Sequence, residues 1–284
     1  MNAQKLKDFF PKIIKNAIEF EIDESATKPL PIGASKLGGL PHLPASFEWP
    51  YYEGTTYEGE RANRPMTFVA QMNLRELAPL DKDGLLPHTG MLYFFYEMTS
   101  APWGEEPQDF GSAKVYWIDA PEAELTATPF PADLTEPHYC FAEDEQGLTF
   151  KAVPSLPNLE EFLELYGDEF DMDDNDDEED DSYYDALESF GVTGDDYPET
   201  KKLLGYADLF QDSMLGDCER VLSGLSPQNL TKEQIRQIEE GQKDWILLAQ
   251  FIELWGSTGF YYYIRKQDLA RRDFSKVHMI QQVD

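Results

Sequence analysis

The chain has 284 residues, 41% of them hydrophobic and 13% aromatic, which is enough to bury roughly three quarters of its unfolded surface and excludes disorder throughout. Its 23 basic and 55 acidic residues leave a formal charge of −32, which repels nucleic-acid backbones. No run approaches the roughly 20 apolar residues of a membrane span.

The opening residues, MNAQKLKDFFPKIIKNAIEF, lack the uninterrupted apolar core of a secretory signal. Two cysteines, Cys140 and Cys218, are too few for a disulfide framework and have no CxxC spacing, so a reducing cytoplasm is expected. In the first segment Leu6, Phe9, Phe10, Ile13, Ile14, Ala17 and Ile18 recur at helical steps, with Lys5, Lys12 and Lys15 on other faces. This predicts an amphipathic helix within residues 1–29, kinked or restarted at Pro11, that covers a sheet.

Next comes SKLGGLPHLPASFEWP, residues 35–50. A phosphate loop opens a helix with its amides toward the anion, whereas Gly38 and Gly39 are followed by Leu40 and Pro41, so the stretch is read as a turn entering extended chain. β-Branched and aromatic runs predict strands at 66–72, 91–96, 115–118, 245–251, 260–264 and 277–280. Asn158 with Glu161 predicts a helix start, with Leu159, Phe162, Leu163 and Tyr166 on its buried face. Thr231 with Gln234 predicts another, with Ile235 and Ile238 facing the core and Gly241 ending it.

Eleven acids fall in residues 168–181, DEFDMDDNDDEEDD, and only Phe170 and Met172 are apolar there, which predicts a solvated, mobile run with little core. Asp171, Asp173 and Asn175 have the first spacings of a calcium loop, but Asp176 stands where the turn needs glycine and Ser182 where it needs a bidentate glutamate. No metal is assigned to it.

The chain repeats itself weakly. KLGGL, TFVAQM, GMLYFFYE and KVYWID recur in the same order as KLLGYADL, ILLAQF, GFYYYIRK and KVHMIQ. This aligns Gln71 with Gln250, Gly90 with Gly259, Tyr93-Phe94 with Tyr262-Tyr263, and Lys114-Val115 with Lys276-Val277. The expected fold is α+β, a largely antiparallel sheet built from two tandem related halves, 30–153 and 201–284, joined by a connection at 154–200. Gly38, Gly39, Gly90, Gly205 and Gly259 are assigned to turns, and Gln71 and Gln250 to buried positions where each amide satisfies backbone groups.

Chemistry is sparse. His42, His88, His138 and His278 form no HxxxH pair or Cys-His cluster, and no GxSxG, Walker or GxGxxG motif occurs, so no nucleophile, metal or cofactor is named. Two readings remain. In one, His42 and His88 meet as acid and base, or at a metal, in a hydrolase-like or metal-dependent enzyme. In the other, the protein is a binder whose contacts come from His42, Trp49, His88, Trp103, Trp255 and Tyr261, because the aromatics exceed what a small sheet hides. The charge favours a basic protein as its partner.

The ordered set SKLGGLPHLP with Trp49-Pro50, FVAQMNL, LLPHTGMLYFF, KLLGYADLFQ, DWILLAQF and GFYYYIRKQDLARRDFSKVHMIQQ resembles the YwqG-like family, a bacterial domain of unknown function, over about residues 30–284. The resemblance implies an α+β fold of two related halves and no established activity. Relatives in toxin-immunity neighbourhoods imply a non-catalytic binding or immunity-type module. Where the family's first motif often has an acidic residue after GGxP, this chain has His42.

Overall fold

The structure, a computed structural model, describes residues 3–134, 144–170, 177–192, 200–254 and 256–283, without the side chains of 168 and 177–181. Helix α1 (Ala3–Ile13) is followed by β1 (Lys15–Ile22), β2 (Lys36–Leu37), β3 (His42–Pro44), β4 (Tyr51–Thr55), β5 (Arg61–Pro65), β6 (Thr67–Asn73), the single turn α2 (Leu74–Leu77), β7 (Met91–Tyr96), β8 (Ala113–Ile118) and β9 (Leu125–Ala127). Then come β10 (Gln146–Ser155), α3 (Leu159–Phe170), α4 (Asp177–Glu188), β11 (Lys201–Leu204), α5 (Leu215–Leu222), α6 (Lys232–Gly241), β12 (Trp245–Ile252), β13 (Thr258–Arg265), α7 (Lys266–Ala270) and β14 (His278–Val283). No helix among the described residues is long and apolar enough to cross a membrane.

Ten strands form one antiparallel sheet in the order β14, β13, β12, β11, β1, β10, β2, β6, β7, β8. The quartet β2, β6, β7, β8 is matched by β11, β12, β13, β14, with β1 and β10 back to back at the seam. Each first strand is exchanged: β1 precedes the first quartet in sequence but pairs with β11, and β10 precedes the second but pairs with β2. The register repeats as well. Lys36 opposes Gln71 and Lys202 opposes Gln250, and both copies slip register at one place, between Phe68 and Ala70 and between Leu247 and Ala249.

The ladders correct the expected alignment. Gln71 opposes Tyr93 and Gln250 opposes Tyr261, so Tyr93 matches Tyr261 and Gly90 matches Thr258, one residue away from the expected pairs. Lys114 opposes Phe95 and His278 opposes Tyr263, so Lys114 matches His278, two residues away from Lys276. Runs of consecutive aromatics hide such a slip in the sequence, although in a strand one residue of shift changes the face of every side chain.

The central strands are buried on both faces, which is why β7 and β12 read as continuous apolar runs. The sheet curls until its two quartets meet inside: Phe94 lies edge-on to Phe251 at 5.2 Å and to Tyr262 at 5.3 Å. Across the interior Tyr96 Oη of β7 donates to Gln281 of β14 at 3.2 Å, and Tyr262 Oη of β13 to the Phe95 carbonyl of β7 at 3.4 Å. Outside, α5 covers Leu247 and Tyr263, while the segments around Leu43 and Leu125 cover Phe68, Tyr93 and Phe95.

Three expectations change. The N-terminal helix stops at Ile13, Ile14 is 37% exposed, and Ala17, Ile18 and Phe20 are buried in β1, where the chain gains ladders on both sides rather than one packed stripe. The second part of the acidic run is helical: Asp177–Asp181 start α4, where the positive end of the helix dipole favours acids, and Tyr183, Ala186 and Leu187 bury against the α1 and α3 cluster. Phe170 is also buried, 4.9 Å from Phe9 and 5.3 Å from Phe162, so the run does contribute core. Met172, Asp171, Asp173, Asn175 and Asp176 lie outside the described residues.

Both helices start where predicted, with a full capping box shown at Thr231 and the Asn158 half of one at the other. Asn158 Oδ1 accepts from the Glu161 amide at 3.0 Å, and Thr231 and Gln234 form a capping box. Ile235, however, is 42% exposed, because α6 rests on the molecule by one edge. Gly241 does not end α6 in a left-handed turn. It stays right-handed, and a Cβ there would come within 2.5 Å of the Glu219 carboxyl group.

Candidate functional site

Four residues singled out by the sequence, His42, Gln71, Gln250 and Tyr261, belong to two copies of one structural network. In the first, Gln71 Oε1 accepts from the His42 amide at 2.7 Å and its Nε2 donates to the Ala34 carbonyl at 2.7 Å. In the second, Gln250 Oε1 accepts from the Asp208 amide at 3.0 Å and its Nε2 donates to the Thr200 carbonyl at 2.9 Å. Tyr93 Oη donates to the His42 carbonyl at 2.5 Å and Tyr261 Oη to the Asp208 carbonyl at 2.6 Å. Tyr261 is therefore a pinned core residue and not a contact surface.

The copies differ where His42 stands in place of Asp208. Buried Lys202 pairs with Asp208 at 2.6 Å, whereas buried Lys36 turns to Glu145 at 2.8 Å. A carboxylate from a neighbouring segment replaces the one that His42 does not supply. The His42 ring is buried against Lys36, Gln71 and the Gly33 amide, each 3.1 Å away, and burial followed by the Lys36 charge lowers its pKa to about 4. It is neutral near pH 7, too weak a base for acid–base work there.

No hydrogen bond joins His88 to it among the described residues. His88 is exposed on the loop before β7. Trp49 is half-buried, its Nε1 donates to the Met66 carbonyl at 2.9 Å, and its ring lies edge-on to Phe95. Trp103 is 45% exposed, and its carbonyl accepts from the Gln281 amide. Trp255, His138 and Cys140 lie outside the described residues, while Cys218 is buried in α5, which pushes its thiol pKa up.

Residues 35–50 are a structural turn. Gly38 and Gly39 both take positive φ, and the matching positions are Leu204, at φ 61°, and Gly205, at φ 78°. Gly90 is also left-handed, but Gly259 lies within β13, where a Cβ would come within 2.6 Å of the Tyr261 ring. Among the described residues no cluster of three His, Cys, Asp or Glu side chains is placed to hold a metal.

Sequence patterns did not reveal a buried acid–base couple. Lys15 lies 3.4 Å from the centroid of the Tyr206 ring, and burial lowers its pKa while raising that of Glu161, whose Oε2 has no hydrogen-bond partner.

One concave feature among the described residues lies elsewhere, where the two ends of the sheet approach. A groove of about 500 Å³ is lined by Phe110, by Ala113–Trp117 of β8, and by Arg272–Ser275 and Val277 ahead of β14. Consecutive side chains on a strand point to opposite faces, so a groove that touches five in a row runs along the strand's edge. On that edge β8 has no strand neighbour among the described residues.

Two cations line the groove. Arg272 has φ 60°, a left-handed conformation that costs a non-glycine residue about 1–2 kcal/mol. Its guanidinium carbon lies 4.8 Å from the Trp117 ring centroid, and it makes no ion pair among the described residues. Lys114 Nζ donates to the Tyr51 carbonyl at 3.1 Å, and burial lowers its pKa. Asp273 shares the wall, its carboxylate held by Ser275 Oγ.

Residues 35–282 match the model of a domain of unknown function, DUF1963. The chain belongs to the DUF1963 family. The match covers both quartets and both walls of the groove, and it leaves out α1 and the exchanged strand β1. A search of curated proteins gives no match. The DUF1963 description carries no activity.

Proposed function

We propose that this DUF1963 protein is a non-catalytic binding module that holds a partner polypeptide in the groove between β8 and residues 272–277. The observation that carries the reading is the groove's position along an edge of β8 that has no strand neighbour among the described residues, with the Arg272 guanidinium, which has no ion pair among them, over Trp117. Unpaired strand edges and aromatic-backed arginines are both surfaces that proteins use to hold other chains. The formal charge of −32 favours a partner whose body is basic. An immunity-type role and a bacterial cytoplasmic setting rest on the YwqG-like resemblance and the sparse cysteines. The enzyme alternative is weakened by the burial of His42, which keeps its ring neutral, and by the exposure of His88, which has no hydrogen bond to it among the described residues.

The test is site-specific photo-crosslinking in the source cells, with a benzophenone amino acid at Ser275, and at Lys232 on α6 as the control. Expected is a discrete adduct from position 275 that weakens when Arg272 and Lys114 are replaced by Ala. Adducts only from position 232, or adducts indifferent to those replacements, would reject the groove as the binding surface.

A further inference from the structure

We infer that Glu161 and Lys15 form a proton-operated latch: a protonated Glu161 holds the cap of α1, α3 and α4 on the sheet, and loss of that proton loosens the cap. This device does not depend on the groove.

The geometry carries it. Helices α1, α3 and α4 share one apolar cluster around Leu6, Phe10, Phe162 and Tyr183, distinct from the clusters of the sheet. The cap meets the sheet at Tyr206, whose hydroxyl donates to the Ile13 carbonyl at the end of α1 at 2.8 Å and lies 3.3 Å from the Tyr166 hydroxyl of α3. Glu161 stands at this joint, 4% exposed. Its amide is spent on the Asn158 cap and its carboxyl group accepts from the Ala207 amide, but Oε2 has no hydrogen-bond partner. Lys15 of β1 sits over the Tyr206 ring and makes no ion pair with Glu161 among the described residues. A neutral carboxyl group suits such a place. A carboxylate there leaves an oxygen with nothing to offset its burial.

The surroundings set the balance between the two forms. Lys15 and Lys202 of β11 favour the anion and Glu164 of α3 opposes it, but Lys202 is already paired with Asp208. Tyr166, Tyr183, Tyr206 and Tyr263 face it from α3, α4, the turn after β11 and β13, all held neutral by burial. Around Lys15, Glu161 and Asp83 favour the cation and Lys266 opposes it. Burial outweighs each of these, raising the pKa of Glu161 and lowering that of Lys15.

The signs give the pH profile. The closed cap keeps a proton on Glu161 that the open chain releases, so the cap loosens as pH rises above the ordinary carboxylate range. The closed cap also sheds a proton from Lys15 that the open chain holds, so it tightens again as pH approaches the ordinary lysine range. Between the two ranges both groups are charged, and the cap is loosest.

Hydrogen exchange followed by mass spectrometry from about pH 5 to about pH 10, with each rate corrected for intrinsic exchange at that pH, tests the latch on the full chain. Protection of the α1 and α3 amides, relative to those of β12 and β13, should fall about tenfold between the acid and neutral ends of the series and recover toward the alkaline end. Glu161→Gln should remove the fall. Lys15→Met should move it to higher pH, because the ammonium favours the carboxylate, and this variant decides the matter if Glu161→Gln does not fold. Cap protection that tracks β12 and β13 at every pH, or a fall unchanged in either variant, would overturn the inference.

Discussion

Gln71 and Gln250 hold the same place in two copies of one motif: each accepts from the amide six residues beyond its ladder lysine and donates to the carbonyl two residues before that lysine. Both side chains are fully buried. Gln71→Leu or Gln250→Leu therefore strands a buried donor and a buried acceptor, and should cost about 1–3 kcal/mol in each case. Urea titration checks this. A loss below a few tenths of a kcal/mol would show that the amides are incidental to the fold.

Gly39 and Gly59 both take positive φ but differ in what surrounds them. A Cβ at Gly39 would lie 2.7 Å from Glu145 Cβ and 3.0 Å from its backbone, whereas nothing lies within 4 Å of one at Gly59. Gly59→Ala should cost about 1 kcal/mol of backbone strain, and Gly39→Ala clearly more, because it also displaces the partner of Lys36. Equal melting temperatures for the two variants would contradict the packed-turn account.

The exchanged strands bind the two halves into one unit. A cut between β9 and β10 leaves β1 without either of its ladders and β10 without both β1 and β2. Neither fragment should melt cooperatively alone, and mixing them should restore one transition. A cooperatively melting monomer from the first fragment alone would show that the halves are independent.

How much of this was legible follows from which interactions are local. Strand cores such as Met91–Tyr96 and the caps at Asn158 and Thr231 depend on neighbouring residues, and their patterns survive in the sequence. The placement of β1 does not, because Ala17 and Ile18 fit either a helical stripe or a strand until β10 and β11 arrive from more than a hundred residues away. Helix α4 was hidden by acid density, which outweighs Tyr183 and Leu187 in composition but not in packing. The histidines drew attention as rare chemical groups, yet His42 proved to be a neutral filler of a duplicated network. The groove left no motif, since Lys114, Trp117 and Arg272 become neighbours only when the sheet curls.

Titrations of opposite sign should shape stability in mild acid, with His42 acting in the same direction as His278 and Glu161 against them. Burial lowers the pKa of His278 to about 4 from its ordinary 6.5, so between these values the unfolded chain binds a proton that the folded chain refuses, and stability falls as pH drops through that window. Burial raises the pKa of Glu161, so there the folded chain keeps a proton that the unfolded chain releases, and stability falls as pH rises above the ordinary carboxylate range. His278→Gln should reduce the slope of melting temperature against pH between 6.5 and 4, leaving the part due to His42, and Glu161→Gln should make the curve rise more steeply with pH. Curves parallel to the wild type for both variants would contradict the assigned shifts.

The most direct test of the binding groove is hydrogen exchange at the backbone amides of Ala113–Ile118, with and without a partner captured at position 275. The account predicts that the outward amides of β8 exchange quickly in the free protein and slow at least tenfold in the complex, while those facing β7 stay slow in both. Protection that appears on another surface, with β8 unchanged, would contradict it.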